Sequence, residues 1–340
     1  MDYKKTIWKG LVLSTAVWAT ACSEVSFAPG QENASLGLQP DGSQKESFTF
    51  DDDNTAAKVD VLFVVDNSPS MSEEQDLLGT ALSSFITSLG RIDWQIGVTT
   101  TDTSNGTYGI KGSLLNLDGT SQKILTKDTP GFETIFKDTV KREEVIGCNG
   151  ITIPCPSSDE RPLEAITMAI NKRNSDNSGF FRDGADLAVV ILSDEDERST
   201  GGSGAMTGAT VMATVVSAFG ASKTFSAYGI IIEPGDSPCF SANGSGNYGL
   251  AAAGLSLLTG GVTGSICDAD FGPALTSIGN RVRNLVKSVT LKYAPNPDTV
   301  QLVMSPFDSS LTWVIEGNQI RFNKSPKKGT KIDVVYLPKE

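Results

Sequence analysis

The 340-residue chain contains no histidine, and this absence removes several kinds of active site. Ser-His-Asp catalysis, Cys-His catalysis and histidine-ligated zinc all need an imidazole ring. Basic residues are also scarce, since 28 Lys and Arg stand against 40 Asp and Glu and give a formal net charge of −12. Phosphate backbones and anionic lipid surfaces would repel such a protein, and no basic cluster offsets the charge. We therefore expect no nucleic-acid partner.

A long apolar run is missing as well, and the run near the N-terminus has the features of an export signal. Lysines precede the apolar run 10–18, which is shorter than the roughly 20 residues that a transmembrane helix needs. The following Ala19-Thr20-Ala21-Cys22 resembles a bacterial lipobox, in which the cysteine is lipidated. We expect residues 1–22 to be a lipoprotein signal peptide with a lipid on Cys22 that attaches the protein to a membrane. An ordinary signal peptide with an incidental Cys22 is the alternative.

This resemblance implies a bacterial cell-envelope protein. Ser23 after the cysteine, rather than Asp, favours the outer membrane, on either its periplasmic or its surface face. Residues 23–46 are rich in Ser, Gly, Gln, Asn and Glu and contain few apolar residues. Such a segment buries too little apolar surface to offset its chain entropy, so we predict a flexible tether.

Four further cysteines are present: Cys148, Cys155, Cys239 and Cys267. In an oxidising compartment an even number indicates two disulfides, for which three pairings are open, and Cys148 with Cys155 is the local choice. A zinc site made of all four thiolates is the alternative, although no Cys-x-x-Cys pair occurs.

Segments typical of strands and helices alternate along residues 47–287, which predicts an α/β domain with a doubly wound, mostly parallel sheet. Strands are expected at 59–65, 94–99, 187–192 and 224–232, and helices at 78–89, 132–140, 163–170, 211–219, 250–258 and 275–286. Residues 288–340 instead contain five short alternating runs separated by turns, which predicts a small antiparallel β module. Ser47–Phe50 is expected to complete this module, since chain ends often lie close together.

Asp66, Ser68 and Ser70 directly follow the apolar run Val61–Val65, and Asp194 follows the apolar run Leu187–Leu192. A carboxylate and two hydroxyls on alternate residues of a turn can converge on one hard divalent cation. Because the carboxyl ends of parallel strands meet at one edge of a sheet, Asp194 is expected at the same place. The alternatives are a turn at 66–70 in which Ser70 caps a helix, and a solvated acidic loop, which is the preferred interpretation for Glu195, Asp196 and Glu197.

These two motifs resemble the von Willebrand factor type A (VWA) domain and its metal-ion-dependent adhesion site (MIDAS), over roughly residues 58–287. The resemblance implies a Rossmann-like domain in which Asp66, Ser68, Ser70 and Asp194 hold Mg²⁺, with Mn²⁺ or Ca²⁺ as alternatives. The family adds a Thr from a middle loop, but residues 156–165 contain none and Arg161 falls near that place. Arginine cannot ligate a cation, so Ser158, Asp159 or Glu160 has to substitute, and Glu160 completes the predicted set.

The predicted function is metal-bridged binding of a protein whose carboxylate completes the coordination shell, used in adhesion or in assembly of an envelope complex. No catalytic residue and no small-molecule substrate are expected, so the chain is predicted not to be an enzyme. Two alternatives stay open. One is a metal-dependent hydrolase that uses Asp159 or Glu160 as acid or base, and the other is a metal-free envelope scaffold, which Arg161 would favour. The disulfides would pin loops on the metal face.

Overall fold

The computed structural model of the chain describes residues 37–38, 41–50, 58–90, 92–145, 148, 151, 153–199, 206–220, 223–243, 247–285, 288–323, 326–327 and 329–339. Its strands are β1 (Gly37–Leu38), β2 (Gln44–Phe50), β3 (Lys58–Val65), β4 (Asp93–Thr100), β5 (Leu125–Thr126), β6 (Asp186–Ser193), β7 (Phe225–Ile231), β8 (Thr263–Ser265), β9 (Ser288–Thr290), β10 (Gln301–Ser305), β11 (Trp313–Glu316), β12 (Gln319–Phe322) and β13 (Thr330–Tyr336). Its helices are α1 (Ser72–Leu89), α2 (Phe132–Val140), α3 (Pro162–Asn171), α4 (Gly208–Phe219), α5 (Ser237–Ala242), α6 (Leu250–Leu258) and α7 (Gly272–Leu285).

A six-stranded sheet in the order β5-β4-β3-β6-β7-β8 organises the larger part of the chain. Strands β3, β4, β6, β7 and β8 run parallel, and only β5 pairs antiparallel, with β4 at one edge. Helices cover both faces, because each connection between parallel strands has to cross over the sheet. The predicted α/β class with a doubly wound, mostly parallel sheet is confirmed.

Strand β3 shows why its sequence is apolar without alternation. Val61 and Phe63 point into one core with helices α1, α2 and α7, while Leu62 and Val64 point into a second core with α3, α4 and α6. A central parallel strand is buried on both faces, so the consecutive positions 61–65 of β3 are all apolar. The Phe63 ring packs edge-on against the rings of Phe85 and Phe136, with centroids 5.7 and 5.0 Å apart.

The C-terminal strands form the predicted antiparallel β module, made of one sheet in the order β1-β2-β13-β10 and a second in the order β11-β12-β9. A separate core that includes Phe50, Ile320 and Tyr336 lies between them. Strand β2, which contains Ser47–Phe50, pairs with β13 from Phe50 opposite Thr330 to Gln44 opposite Tyr336.

This pairing changes two sequence-based boundaries. The predicted tether at 23–46 includes β1 and the start of β2, so its last residues are ordered strand. The strand placed at the start of the 47–287 segment belongs to the sheet of the β module. Placement of Ser47–Phe50 in the module agrees with the sequence-based expectation, whereas the start of β2 at Gln44 was not predicted, because it depends on pairing with the distant strand β13.

The module contacts the amino edge of the six-stranded sheet, where β6 and β7 begin. Arg321 on β12 forms an ion pair of 2.9 Å with Asp186 and a hydrogen bond with the Thr224 hydroxyl. At the same edge the buried Asp60 carboxylate pairs with Arg182 at 2.7 Å. The carboxyl edge, where the predicted metal ligands lie, is therefore on the opposite side of the sheet from the module.

Two disulfides join Cys148 to Cys155 and Cys239 to Cys267, so the local pairing is confirmed and the four-thiolate zinc site is wrong. The predicted signal peptide, the lipidation at Cys22 and the tether up to residue 36 lie outside the described residues. In the part of the chain that the structure describes, no helix combines the length and apolar character needed to span a bilayer.

Candidate metal site

The topology brings Asp66 and Asp194 to one edge of the sheet. Val65 at the end of β3 lies opposite Leu192 on β6, so the residues that follow each strand emerge side by side. The backbone N–H of Asp66 donates to the carbonyl of Leu192 at 2.9 Å, which continues the ladder one residue beyond β3. The two carboxylates are close enough for the negative charge of Asp194 to raise the pKa of Asp66.

Asp66 is fully buried and is held by three hydrogen bonds. One carboxylate oxygen accepts from the backbone N–H of Ser68 at 2.8 Å, and the other accepts from the Ser193 hydroxyl at 2.6 Å. Its carbonyl accepts from the amide of Gln75 at 2.7 Å. Burial, followed by the charge of Asp194, raises the pKa of Asp66 to about 7. The side chain is thus fixed in orientation but costly to ionise.

Ser68 and Ser70 place their hydroxyl oxygens 3.0 Å apart in a short 3-10 turn, Pro69–Met71, that leads into α1. Met71 is the N-cap residue of α1 and makes no side-chain capping bond, and Ser68 makes none at the start of the 3-10 turn. Helix capping by Ser70 is therefore wrong as an explanation of this motif. The Ser70 hydroxyl instead lies beside Asp194, where burial raises the pKa of the carboxyl and the hydrogen bond with Ser70 partly opposes this rise.

Asp194 is nearly buried, and burial is the largest cause of a raised pKa. Its Oδ1 atom accepts no hydrogen bond from a described residue. A buried carboxylate oxygen without a donor loses its hydration without compensation, which is costly. This oxygen is available to a cation.

Glu160 is the third carboxylate at this edge. It is 1% exposed, and neither of its carboxylate oxygens accepts a hydrogen bond from a described N–H or hydroxyl group. Burial, then the charges of Asp66 and Glu195, raises the pKa of Glu160 to about 9. The charge effect shows that Glu160 and Asp66 lie in one electrostatic environment, although 94 positions separate them in the numbering.

Arg161, which falls near the place of the expected Thr, is paired with two neighbouring carboxylates. Its guanidinium pairs with Glu164 at 3.3 Å and with Asp159 at 3.4 Å. Ser158 is exposed and Asp159 is mostly exposed. Of the three residues considered as substitutes, Glu160 is therefore the one buried against Asp66.

The expectation of a solvated acidic loop is wrong for Asp196 and Glu197, whereas Glu195 is partly exposed and pairs with Arg198 at 2.7 Å. Glu197 accepts from the backbone N–H groups of Leu163 and Glu164 at 2.5 and 3.4 Å, which caps the first turn of α3. Asp196 accepts from the N–H of Ala251 at 2.8 Å at the start of α6. Carboxylates at helix N-termini satisfy free N–H groups and complement the helix dipole. This partnership between distant segments leaves no pattern in the local sequence.

Several contributing residues were missed because only the fold brings them here. Ser193 and Gln75 hold Asp66, and Gln75 also accepts from the N–H of Arg142 at 2.9 Å. The side-chain amide of Asn67 and the hydroxyl of Thr100 are buried and have no partner among the described residues. Of these residues, only Gln75 could have been noticed in the sequence, because it is a polar residue on the buried side of α1.

The chemistry of the donor set fits a hard divalent cation such as Mg²⁺. Carboxylate and hydroxyl oxygens are the ligands that Mg²⁺ and Ca²⁺ take, and several here are buried without donors. Among the described residues no group of three or more Asp, Glu or Cys side chains is gathered as a cage by itself. The serine hydroxyls would therefore have to contribute to the coordination.

Comparisons with known proteins add little to this geometry. No family model and no curated protein matches the sequence. The chain is similar to the pilus adhesin SpaC from Lactobacillus rhamnosus GG. The matched region covers 87% of this chain and 40% of the adhesin, with 12% identity and a TM-score of 0.39. It is also similar to proximal thread matrix protein 1 from the mussel byssus, whose structure has a zinc-occupied MIDAS motif. The matched region covers 70% of this chain and 48% of the byssus protein, with 11% identity and a TM-score of 0.39.

The chain is similar as well to the ArnB paralog VWA2 from Sulfolobus acidocaldarius. The matched region covers 86% of this chain and 65% of VWA2, with 13% identity and a TM-score of 0.31. The chain spans less than half the length of the adhesin and of the byssus protein. These solved structures include a protein named for a VWA domain and one with a MIDAS motif. At such identities and TM-scores the similarities carry no argument about function, and the fold assignment depends on the strand order described above.

Proposed function

We propose that the carboxyl edge of the six-stranded sheet is a MIDAS-type site that binds a divalent cation and, through it, an acidic group of a protein partner. The observation that carries the proposal is the buried Glu160, whose two oxygens accept no hydrogen bond from a described N–H or hydroxyl group, beside the buried Asp66. Buried carboxylates are stable when a positive charge compensates them. No basic side chain pairs with Asp66 or Glu160 among the described ion pairs, so in this proposal protons compensate these carboxylates in the metal-free protein and a bound cation replaces them.

In this proposal Ser68, Ser70, Glu160 and Asp194 offer oxygen atoms to the ion, and Asp66 takes part directly or through water. Ser193 and the N–H of Ser68 fix the Asp66 carboxylate, so its position does not depend on the ion. When bound, Mg²⁺ would supply a positive centre that neutralises these carboxylates and attracts a partner's carboxylate. The remaining residues orient ligands and exclude water.

We further propose that the protein is a lipid-anchored envelope protein that uses this site in adhesion or in complex assembly. Strands β1 and β2, the first described elements of the chain, belong to the β module at the amino edge of the sheet. The proposed site lies at the opposite edge. This separation suits a binding domain that is attached to the membrane on one side and binds its ligand on the opposite side.

Calorimetry tests the metal site. Residues 37–340 form one compact unit that contains all three cores and both disulfides, so this part is suitable for titration with Mg²⁺, Mn²⁺ and Ca²⁺. We expect binding that Asp66→Ala abolishes and that Asp159→Asn, a change at an exposed neighbouring carboxylate, leaves intact. Absence of binding in the native protein would contradict the proposal and favour the metal-free scaffold.

The partner class needs a second experiment. Binding of intact cells to protein-coated beads should fall when a chelator removes divalent ions, and equal binding with and without chelator would argue against adhesion. Hydrolysis of generic ester or peptide substrates that Asp66→Ala removes would instead favour the hydrolase.

A further inference from the structure

Helices α4 and α6 form an outer surface without charge. Neither the 12 residues of α4 nor the 9 residues of α6 include an Asp, Glu, Lys or Arg. Charged residues make up 20% of the whole chain, so two adjacent helices without any are unusual for this protein. A helix that is hydrophobic around its whole circumference is normally buried on all sides. Among the described residues, only one side of each helix is covered by other parts of the chain.

On α6 the uncovered side is the more apolar one. Ala252 and Leu255 pack into the core beneath the helix. Leu250, Leu257 and Leu258 point outward and are 59%, 84% and 56% exposed. At 100° per residue these three leucines fall within one arc of the helix, and Gly254 lies between them with open space above it. The exposed leucines therefore form one stripe.

Helix α4 extends this stripe sideways. Val216 is 50% exposed, and Ala209 and Ala213 are exposed on the same side. The two helices pack closely, because a Cβ atom on Gly208 would lie 3.4 Å from the Cα of Leu255. We name the resulting surface the α4–α6 face, defined by Ala209, Ala213, Val216, Leu250, Leu257 and Leu258. Single exposed apolar residues are ordinary, whereas a contiguous apolar patch marks an interaction site.

We propose that the α4–α6 face is a self-association surface, on which a second copy of this chain docks through the same face in a twofold dimer. The net charge of −12 makes two copies repel each other over most of their surfaces. In a twofold dimer the same patch meets itself, so the patch has to be complementary to its own charge. An uncharged patch satisfies this condition, and an acidic one does not.

The charge distribution also argues against other occupants. Helices that lie on membranes carry Lys and Arg around their apolar side, and α4 and α6 have neither. A basic protein partner would be drawn to the acidic surfaces rather than to this face. The face lies on a flank of the sheet, over the core formed with Val211 and Val215. Each dimer would carry two copies of the carboxyl edge.

Sedimentation equilibrium on residues 37–340 tests the proposal. At ~100 µM protein, a concentration that detects weak dimers, we expect twice the monomer mass for the native sequence. Leu257→Glu combined with Leu258→Glu places like charges across the twofold axis and should weaken association at least about tenfold. Val216→Glu, on the other helix, should do the same. Val303→Glu is the matched control, because Val303 is 60% exposed on β10 of the module, away from the face.

Circular dichroism of each variant verifies that it is folded before its mass is interpreted. A native protein that stays monomeric at this concentration overturns the proposal, as does a Val303→Glu variant that dissociates as readily as the variants of the face. Flotation with vesicles of phosphatidylcholine and phosphatidylglycerol separates the lipid alternative. Monomeric protein that floats with vesicles, and loses this on Leu257→Glu, would assign the face to lipid and overturn self-association.

Discussion

Glu160→Gln should stabilise the metal-free protein while it removes metal binding. The pKa of Glu160 is raised from 4.5 to about 9, first by burial and then by the charges of Asp66 and Glu195. A group whose folded pKa lies above its unfolded value contributes stability that is fully present below the unfolded pKa and is lost as the pH rises towards the folded one. The stability that is lost between pH 4.5 and pH 7 amounts to about 3 kcal/mol, at 1.36 kcal/mol per pH unit. Glutamine keeps the shape and cannot ionise, so it avoids this loss.

The same proton governs metal affinity. A cation that uses the Glu160 carboxylate has to displace its proton, which at pH 7 reduces affinity by about 100-fold relative to the fully ionised carboxylate. The pKa of Asp66, raised to about 7, adds a smaller dependence in the same direction. Affinity for Mg²⁺ should therefore increase at least about tenfold per pH unit near neutrality, with about one to two protons released per ion bound.

Chemical denaturation and calorimetry in two buffers of different ionisation enthalpy measure both effects. In the absence of metal, Glu160→Gln should raise the free energy of unfolding at pH 7 and make it less dependent on pH, whereas Asp159→Asn should leave both unchanged. Native protein that binds Mg²⁺ with the same affinity at pH 6.5 and 8.5, without proton release, would refute the reasoning. So would a Glu160→Gln variant that is less stable than the native protein.

Three further changes test the parts that hold the site. Ser193→Ala leaves Asp66 without its 2.6 Å donor, so we expect a loss of about 1–3 kcal/mol in denaturation and weaker Mg²⁺ binding at pH 7; unchanged values would contradict the positioning of Asp66. Replacing Cys148 and Cys155 by serine opens a loop with a sequence separation of 7 and should cost about 2–3 kcal/mol, read as a lower melting temperature; an equal melting temperature would mean that the bond is dispensable. Phe63→Ala should cost about 3–5 kcal/mol, because it empties a site between two helices; a loss under about 1 kcal/mol would show that the core collapses into the space.

The sequence predicted the parts of this structure that depend on periodicity. The continuous apolar runs at β3 and β6 indicated strands buried on two faces, and both strands lie within one residue of the predicted bounds. The two-residue strand β5, the three-residue strand β8 and the six-residue helix α5 were not predicted, because elements of this length leave no period in the sequence. The positions of β5 and β8 depend on pairing with β4 and β7, which are distant in the chain.

Within the site, Asp66 and Asp194 were predictable because parallel strands bring their carboxyl ends to one edge. Spacing and composition left Ser158, Asp159 and Glu160 as candidates, and the structure shows that Glu160 is the buried one of the three. Arg161, the next residue, is partly exposed and pairs with Asp159 and Glu164. Which of two adjacent charged residues is buried depends on the loop's path over the sheet edge, and that path has no signature in the local sequence.

The acidic run 194–197 connects the proposed metal site to the helices around it. Asp194 lies beside the Ser70 hydroxyl, and Glu197 caps α3, whose first turn directly follows Glu160 and Arg161. Asp196 accepts from the start of α6, the helix that carries most of the exposed leucines. One loop after one strand therefore fixes the position of both flanking helices as well as a carboxylate. The carboxylates of Asp196 and Glu197 accept hydrogen bonds from N–H groups at helix N-termini, whereas Glu160 and one oxygen of Asp194 have no such donor. The positions of the donors in this region therefore distinguish the carboxylates that hold helices in place from those available to a cation.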